Sequence, residues 1–477
     1  MSRRVLRSSM VIAGVVAASV TLTSSPAMAA SDWTQLSQTS SATTYPKIPN
    51  IVQPTAMWFG GTLQVVWRQD QSPSEDAYVT AAVDGTGAVA LGATPMWSWQ
   101  TLTENPSLIS VGGQHFLSFS GLNPGRTGAQ YFATAPDFTS WTVSSGSMSE
   151  TQSAYASYGS DAIDNAGTPV WVGNAGSSTG IRWHVGTSDS SPAPPGSDQS
   201  YKLAGCCTYD AAAARDEATG IVYAAFYSNA SATTENGIQV GQILPASAGW
   251  GQAPGSLKVT DGRASSLDPG QRIAMVSRPG GGVYLAYVMG YPTADGIRIL
   301  NAATGGTLDI GGSKGAQHVA MSAEPDGRLW VTWHRGTRVY AVHTNPAVTQ
   351  LGAIGSWGAP PGTSTLWKSE AAGTAGGVSL VYTATTQNAI NVWHRLVNRT
   401  LSVKAAPTKV KRGANVKVTV TDAGDAVAGA KVKIGSKTGT TNSAGKVTIK
   451  APSAKGSKKV VATKGGYNPG VTVIRVK

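Results

Sequence analysis

Three observations predict an all-β chain built mainly from a ring of repeated sheets. Seven times an apolar stretch runs into a Gly-containing turn and then into a second β-prone strand. The pairs recur roughly every 45 to 65 residues, the length of one four-stranded blade. The composition, with 57 Gly, 25 Pro and 13% charged residues, suits a large β-protein with many turns. The pairs are Met57-Trp58-Phe59 with Leu63 to Trp67, Leu108-Ile109 with His115 to Phe119, Ala162-Ile163 with Val170 to Val172, Tyr209 to Ala213 with Ile221 to Tyr227, Ile273 to Val276 with Val283 to Tyr287, His318 to Met321 with Leu329 to Trp333, and Ala371-Ala372 with Val378 to Tyr382. Seven such units predict a seven-bladed β-propeller over residues 31–397, followed by a small β-sandwich over residues 398–477.

The N-terminus comes first. Arg3, Arg4 and Arg7, an apolar run from Met10 to Val20, and Ala27-Met28-Ala29-Ala30 have the form of a secretory signal peptide over residues 1–30. The apolar run is shorter than the roughly 18 residues that a membrane helix needs. The expectation is a secreted, extracellular protein, with cell-wall association as a further option, acting as a monomer without metal or cofactor. The segment Trp33 to Leu36 is placed to complete the seventh blade and close the ring.

In a propeller the innermost strand runs down the channel and its turn to the second strand lies on the bottom face. Gly60-Gly61, Gly112-Gly113, Gly280-Gly281-Gly282, Asp326-Gly327 and Gly376-Gly377 are therefore bottom turns, where glycine supplies φ > 0. The loops of the opposite, top face are where a ligand is expected.

Charge divides the chain. Residues 31–397 hold 17 Lys plus Arg against 23 Asp plus Glu, whereas residues 398–477 hold 17 basic and 2 acidic residues. A boundary near Asn398 follows. In the basic segment Val416 to Val420 and Lys431 to Ile434 alternate Val or Ile with Lys or Thr, the period of half-buried strands. Gly429 to Ile434, Thr440 to Ile449 and Gly465-Gly466-Tyr467 resemble the bacterial immunoglobulin-like and carboxypeptidase-regulatory-like sandwiches. The resemblance implies a stalk or adhesion module. Its Lys faces are either a means of attachment to an anionic cell-wall polymer or polysaccharide, or the solvated faces of a small soluble domain.

Cys206 and Cys207 are the two cysteines, adjacent in a chain expected in an oxidising compartment. Adjacent Cα atoms sit about 3.8 Å apart, below the usual disulfide range of about 4.4 to 6.8 Å, so a vicinal disulfide would be strained. Near the entrance of the fourth blade such a ring could floor a ligand pocket or simply lock the backbone. Two free thiols fit the compartment less well, and without a second Cys/His cluster a zinc site has no support.

A Trp followed by a basic residue recurs at Trp67-Arg68, Trp183-His184, Trp333-His334-Arg335 and Trp393-His394-Arg395. Trp67 and Trp333 end second strands, whereas Trp183 and Trp393 belong to third strands. Each Trp reads as packing between blades, with its indole N–H tied to a neighbour. Arg68, Asp70, Arg272, His334 and Arg335 fall in expected top loops and are the ligand-binding candidates.

Asp137-Phe138-Thr139-Ser140-Trp141 and the segment Ser322 to Trp330 are loosely similar to the Asp-box turns of sialidases and related glycoside hydrolases. The first lacks the Gly, and the second has Glu324 at the acidic position with shifted spacing. The Arg-Ile-Pro opening of sialidases has its nearest match in Lys47-Ile48-Pro49, where Lys replaces a bidentate Arg. The chain thus resembles the sialidase-like superfamily in shape. Glycoside hydrolysis needs two carboxylates at a set separation, and Asp70, Asp161, Asp210, Asp268 and Glu324 offer several pairings. A polysaccharide lyase would use His and Tyr, for which His318, His334, Tyr209 and Tyr291 are candidates. Nucleophile-elbow, zincin, P-loop and EF-hand motifs are not found. Nucleic-acid binding is not expected, because the larger part is acidic and the basic part lacks interleaved aromatics.

Taken together, the signal type, repeat number and Gly- and Trp-rich strands resemble secreted actinobacterial seven-bladed propellers of the dispase autolysis-inducing kind. The resemblance implies a non-enzymatic protein that binds an extracellular partner such as a secreted protease, with exposed Gln and Lys open to a transglutaminase. The reading that leads is a secreted binding propeller with a basic anchoring module. The alternative is a glycan-cleaving hydrolase or lyase with a top-face site and catalytic candidates His334, His318, Tyr209 and Asp210.

Overall fold

The structure, a computed structural model, describes residues 33–37, 41, 43–103, 105–122, 129–143, 160–174, 180–186, 198–202, 208–228, 237–244, 250–254, 256–258, 273–290 and 294–477. Every regular element among them is a β-strand. Seven antiparallel meanders follow in order, through residues 55–99, 101–143, 160–202, 208–258, 274–310, 317–358 and 363–400. All seven expected strand pairs are hairpins at the start of these sheets. Trp58 faces Leu63, Leu108 faces Leu117, Ala162 faces Trp171, Ala213 faces Ala224, Met275 faces Leu285, Met321 faces Val331 and Ala371 faces Leu380.

Strand periodicity explains how the sheets assemble. Successive side chains point to opposite faces, so a strand that is apolar on both faces must pack on a neighbour at each side. Seven apolar clusters fill the seven gaps in cyclic order. Tyr78 with Phe119 lies between the first and second sheets, Phe116 with Trp171 between the second and third, and Trp183 with Phe226 between the third and fourth. Tyr227 with Tyr287, Val288 with Trp333, Trp330 with Leu380, and Val381 with Trp67 continue the series back to the first sheet. A closed ring of packed sheets around an axis is a β-propeller.

The short strand Thr34–Gln35 completes the seventh sheet. Thr34 and Gln35 pair with His394 and Trp393, adding the outermost strand of the seventh sheet. Around them Leu36 N–H donates to Val392 O at 2.8 Å, and Trp33 Nε1 donates to Gly358 O of the sixth sheet at 2.8 Å. The hairpins between first and second strands turn on left-handed residues. Gly60 and Gly61 have φ of 56° and 83°, and Gly112 and Gly113 have 58° and 84°, as two-residue hairpin turns require.

After residue 400 the chain forms two further sheets. One orders Ser402–Ala406, Asn415–Asp422 and Asp425–Ala426, with Lys446–Lys450 also on Asn415–Asp422. The other orders Lys409–Val410, Gly470–Val476, Gly456–Thr463, Lys431–Ile434 and Lys437–Thr440. Val416, Val418, Val420, Val432, Ile434, Val460 and Ile474 meet between them. The strand Ala389–Thr400 runs unbroken through Asn398, and its Arg399 and Thr400 pair in parallel with Tyr467 and Asn468. The shift in charge near Asn398 thus falls inside a strand of the seventh sheet, whose last two residues pair with the sandwich.

Candidate functional site

The sequence candidates separate into groups that use different sheets. Arg68 and Asp70 sit in the strand Thr62–Ser72, not in a loop. That strand outlasts its apolar part because Lys47 and Asp70 exchange backbone hydrogen bonds, Lys47 N to Asp70 O at 3.0 Å and Asp70 N to Lys47 O at 2.8 Å. Arg68 Nη2 lies 2.8 Å from both Asp70 Oδ1 and Asp76 Oδ1, and Lys47 Nζ lies 4.0 Å from Asp70. Asp76 also accepts the Leu102 N–H at 2.9 Å, tying the first sheet to the second. Burial lifts the Asp70 carboxyl above its ordinary range despite Arg68, and the touching Asp76 carboxyl adds to the rise. Carboxyls in hydrogen-bond contact are closer than the roughly 5 Å or more that glycoside cleavage uses. This cluster is an ionic tie, and the expectation of exposed loop charges at Arg68 and Asp70 is corrected.

His334 and His318 are brought together, as a catalytic pair would be. Their rings stack at 5.4 Å, and Tyr382 meets His334 edge-on at 5.9 Å. His334, however, is a strand residue 2% exposed, and burial lowers its pKa to about 4. It is not the exposed top-loop charge expected. His318 is half-buried in an irregular stretch of the innermost strand, with φ of 48°, and burial, Lys368 and His334 hold it well below the usual imidazole range. Ser369 Oγ donates to its carbonyl at 2.9 Å, and Gln53 Nε2 donates to Ser369 O. Arg335, expected in a loop, is the exposed last residue of the strand Leu329–Arg335, and its guanidinium donates to Lys314 O and Tyr340 Oη at 2.9 and 3.0 Å.

Two carboxylates proposed for cleavage serve as acceptors within the fold. Asp161 Oδ1 accepts from Ser107 Oγ and Ala162 N, both at 2.9 Å, while Oδ2 accepts from Ala213 N at 3.1 Å. One side chain thus joins the second, third and fourth sheets at the channel. Glu324, fully buried, accepts from Trp330 Nε1 at 2.5 Å, Gly376 N at 3.0 Å and Arg399 Nε at 2.9 Å. Tyr209 and Asp210 belong to the strand Thr208–Arg215, but their side chains lie outside the description, as do Arg272, Asp268, Tyr291, Cys206, Cys207 and residues 1–30.

Glu324 opens a seam that sequence reasoning missed. Asp326 receives Arg399 Nη2 at 2.6 Å and Arg328 Nη1 at 2.5 Å, and Arg328 Nη2 reaches Asp425 of the sandwich at 2.8 Å. Asp422, 1% exposed, pairs with the equally buried His343 and lies 3.6 Å from both Arg328 and Arg399. Burial alone would raise Asp422, but His343, Arg328 and Arg399 outweigh it and hold the carboxyl below its ordinary value. Arg399 rises likewise, because Glu324 and Asp326 outweigh the cost of its burial. The segment Ser322 to Trp330 therefore shapes a hairpin and this seam, and is not an Asp-box.

Asp137, by contrast, does cap a turn between third and fourth strands. Its Oδ1 accepts Thr139 N, Thr139 Oγ1 and Ser140 N, each at 2.8 Å, and Trp141 Nε1 donates to Phe138 O. Asp84, Asn301 and Asn345 make comparable turns at the same place in the first, fifth and sixth sheets. The recurring Trp residues are packed as expected: Trp67, Trp183, Trp333 and Trp393 are at most 9% exposed. Their indole donors differ from the expectation, since Nε1 of Trp67, Trp183 and Trp393 has no protein acceptor among the described residues.

A cavity of about 380 Å³ opens at the channel mouth where the first-to-second-strand hairpins gather. Ile109, Ile163, Met275 and Val276 give it an apolar wall, and Asp164, Arg215 and Glu217 a charged rim. Asp164 is fixed by Gly167 N at 2.7 Å. This mouth is opposite the face on which a ligand site was expected. Among the described residues no group of three or more His, Cys, Asp or Glu is placed to hold a metal.

No family model matches the chain, and no curated protein matches it. Among solved structures it is similar to a fucose-recognising, six-bladed propeller lectin of Aleuria aurantia, at 10% identity over 73% of this chain and 93% of the lectin, TM-score 0.37. A GH43_1 enzyme of Xanthomonas citri follows at 11% identity over 76% of this chain and 91% of the enzyme, TM-score 0.35. An arabinanase of Bacillus subtilis follows at 11% identity over 73% and 94%, TM-score 0.31. At these values no ligand, reaction or residue is carried over.

Proposed function

We propose that the chain is a secreted binding protein: a seven-bladed β-propeller over residues 31–397 that holds an extracellular protein or glycan, joined to a basic immunoglobulin-like sandwich over residues 398–477 that attaches it. The observation that carries this reading is the use of the acid–base groups. Of the side chains a cleavage reaction would draw on, Asp161 and Glu324 are held as acceptors between sheets, Asp70 is held in the ionic cluster of the first sheet, and His334 is buried against His318 and Tyr382. Acceptors already held by two or three donors make poor proton carriers. The open mouth with an apolar wall and charged rim suits recognition of a partner with one apolar face. Retention of glycans and secreted proteins by the full chain, compared with Ile163→Asp, tests it. The reading requires retention that the variant weakens at least tenfold; equal retention by both removes the channel mouth from the account.

One observation favours a glycan-cleaving enzyme instead. Asp164 and Glu217 line the same cavity, so a carboxylate pair faces a space that a sugar could fill.

A further inference from the structure

Resting on the attachment reading of the sandwich, we propose that its sheet face bearing Lys404, Lys417, Lys446 and Lys450 docks a linear polyol phosphodiester polymer. The sandwich segment, residues 398–477, holds two acidic residues: Asp422 is buried in the seam with the propeller, and Asp425, partly exposed, is paired there with Arg328. Neither acid stands among the lysines of this face.

Strand register then sets a definite pattern. Lys404 faces Thr419, which faces Lys446; Ala406 faces Lys417, which faces Thr448; Asn415 faces Lys450. No two of these lysines are direct cross-strand partners, an arrangement that spares the sheet its strongest like-charge contacts. Lys417 stands at the centre with Lys404, Lys446 and Lys450 each on a diagonal, about 7 to 8 Å away. All four are exposed, and the side chains between them are the hydroxyls of Thr419 and Thr448, the amide of Asn415 and the methyl of Ala406. Lys ammoniums are compact point charges suited to phosphate oxygens, and Thr and Asn add neutral donors. The face has no aromatic ring on which a base could stack, which favours a polymer read through its phosphates alone. The outer face of the other sheet is interrupted by Val471 and Val473, 54% and 52% exposed, between Lys433, Lys459 and Arg475. Hydrated phosphates gain nothing from such a centre.

The test is retention of the full chain on immobilised poly(glycerol phosphate) from about 50 to 200 mM salt, where counterion release makes phosphate contacts visible. Two charge-matched variants are compared: K404Q/K417Q/K446Q/K450Q, and K431Q/K433Q/K459Q/R475Q on the other face. The first should lose at least tenfold in affinity and flatten the salt slope by roughly 3, while the second keeps most of both. Thermal melts establish that both variants fold, since all the exchanged side chains are on the surface. Equal losses in the two variants, no retention of the wild-type chain, or tighter retention on charge-matched single-stranded DNA or polygalacturonate would each overturn the proposal. Ile163→Asp is run alongside. Its polymer binding should equal wild type, so a failure at the sandwich and a failure at the channel mouth remain distinguishable.

Discussion

Arg399→Met is the substitution that most directly probes the junction between propeller and sandwich. It deletes the guanidinium that meets Glu324 and Asp326 and lies 3.6 Å from Asp422, and leaves Glu324 fully buried with only the Trp330 and Gly376 donors. Removing one member of a buried pair costs about 3 to 5 kcal/mol, because the charge left behind is uncompensated. A loss of about 4 kcal/mol corresponds to about 4 °C in Tm for a cooperative unit of this size. Glu324→Gln in the same chain removes the stranded charge, so the double variant should recover about 1 to 3 kcal/mol relative to the sum of the singles. Urea unfolding followed by tryptophan fluorescence is the assay. Trp330 reports locally, since its indole donates to Glu324 and its ring lies 4.8 Å from that of His343. Additive effects of the two substitutions, or Arg399→Met with the midpoint and emission of the wild type, would refute the seam as a buried, coupled network.

Further outcomes follow from the same contacts. Trp33→Ala should cost about 3 to 5 kcal/mol, since Trp33 is 9% exposed in the cluster joining the sixth and seventh sheets and donates to Gly358; an unchanged Tm would mean that the N-terminal strand does not close the ring. His334 and His394 are each held near pKa 4 by burial, so the unfolded chain takes up their protons first. Stability is complete above about pH 6.5 and falls as pH drops towards 4, by about 2 kcal/mol per histidine at pH 5. Urea unfolding at pH 7 and 5 checks this, and His334→Asn should remove about 2 kcal/mol of the difference. Asp161→Asn should cost about 1 to 3 kcal/mol by weakening three hydrogen bonds across three sheets, read as a lower midpoint without change in the slope of the denaturation curve.

The ring was legible because it is periodic. Leu63 to Trp67 and Val283 to Tyr287 are apolar on both faces, and only strands buried on both sides read that way. Polar strand ends were not legible. Gln69, Asp70 and Gln71 look like a loop, yet they extend a strand through a bridge to Lys47 whose partner lies more than twenty residues away. The seam was invisible for a related reason. Glu324, Arg399 and Asp422 are single residues separated by 75 and 23 positions, and no local spacing announces that they meet. A signal did exist in the total absence of other acids from residues 398–477, which makes Asp422 and Asp425 conspicuous. The turns capped by Asp84, Asp137, Asn301 and Asn345 share geometry more than sequence, so only Asp137 drew notice.

Binding without turnover is the central claim, and product release tests it most directly. The full chain is incubated with a panel of extracellular polysaccharides, and reducing ends and unsaturated products are measured on the same samples as retention, alongside Asp164→Asn/Glu217→Gln. The account predicts retention of a partner with no product from either chain. Product formed by the wild type and lost in the double variant would contradict it and make the channel mouth an active site.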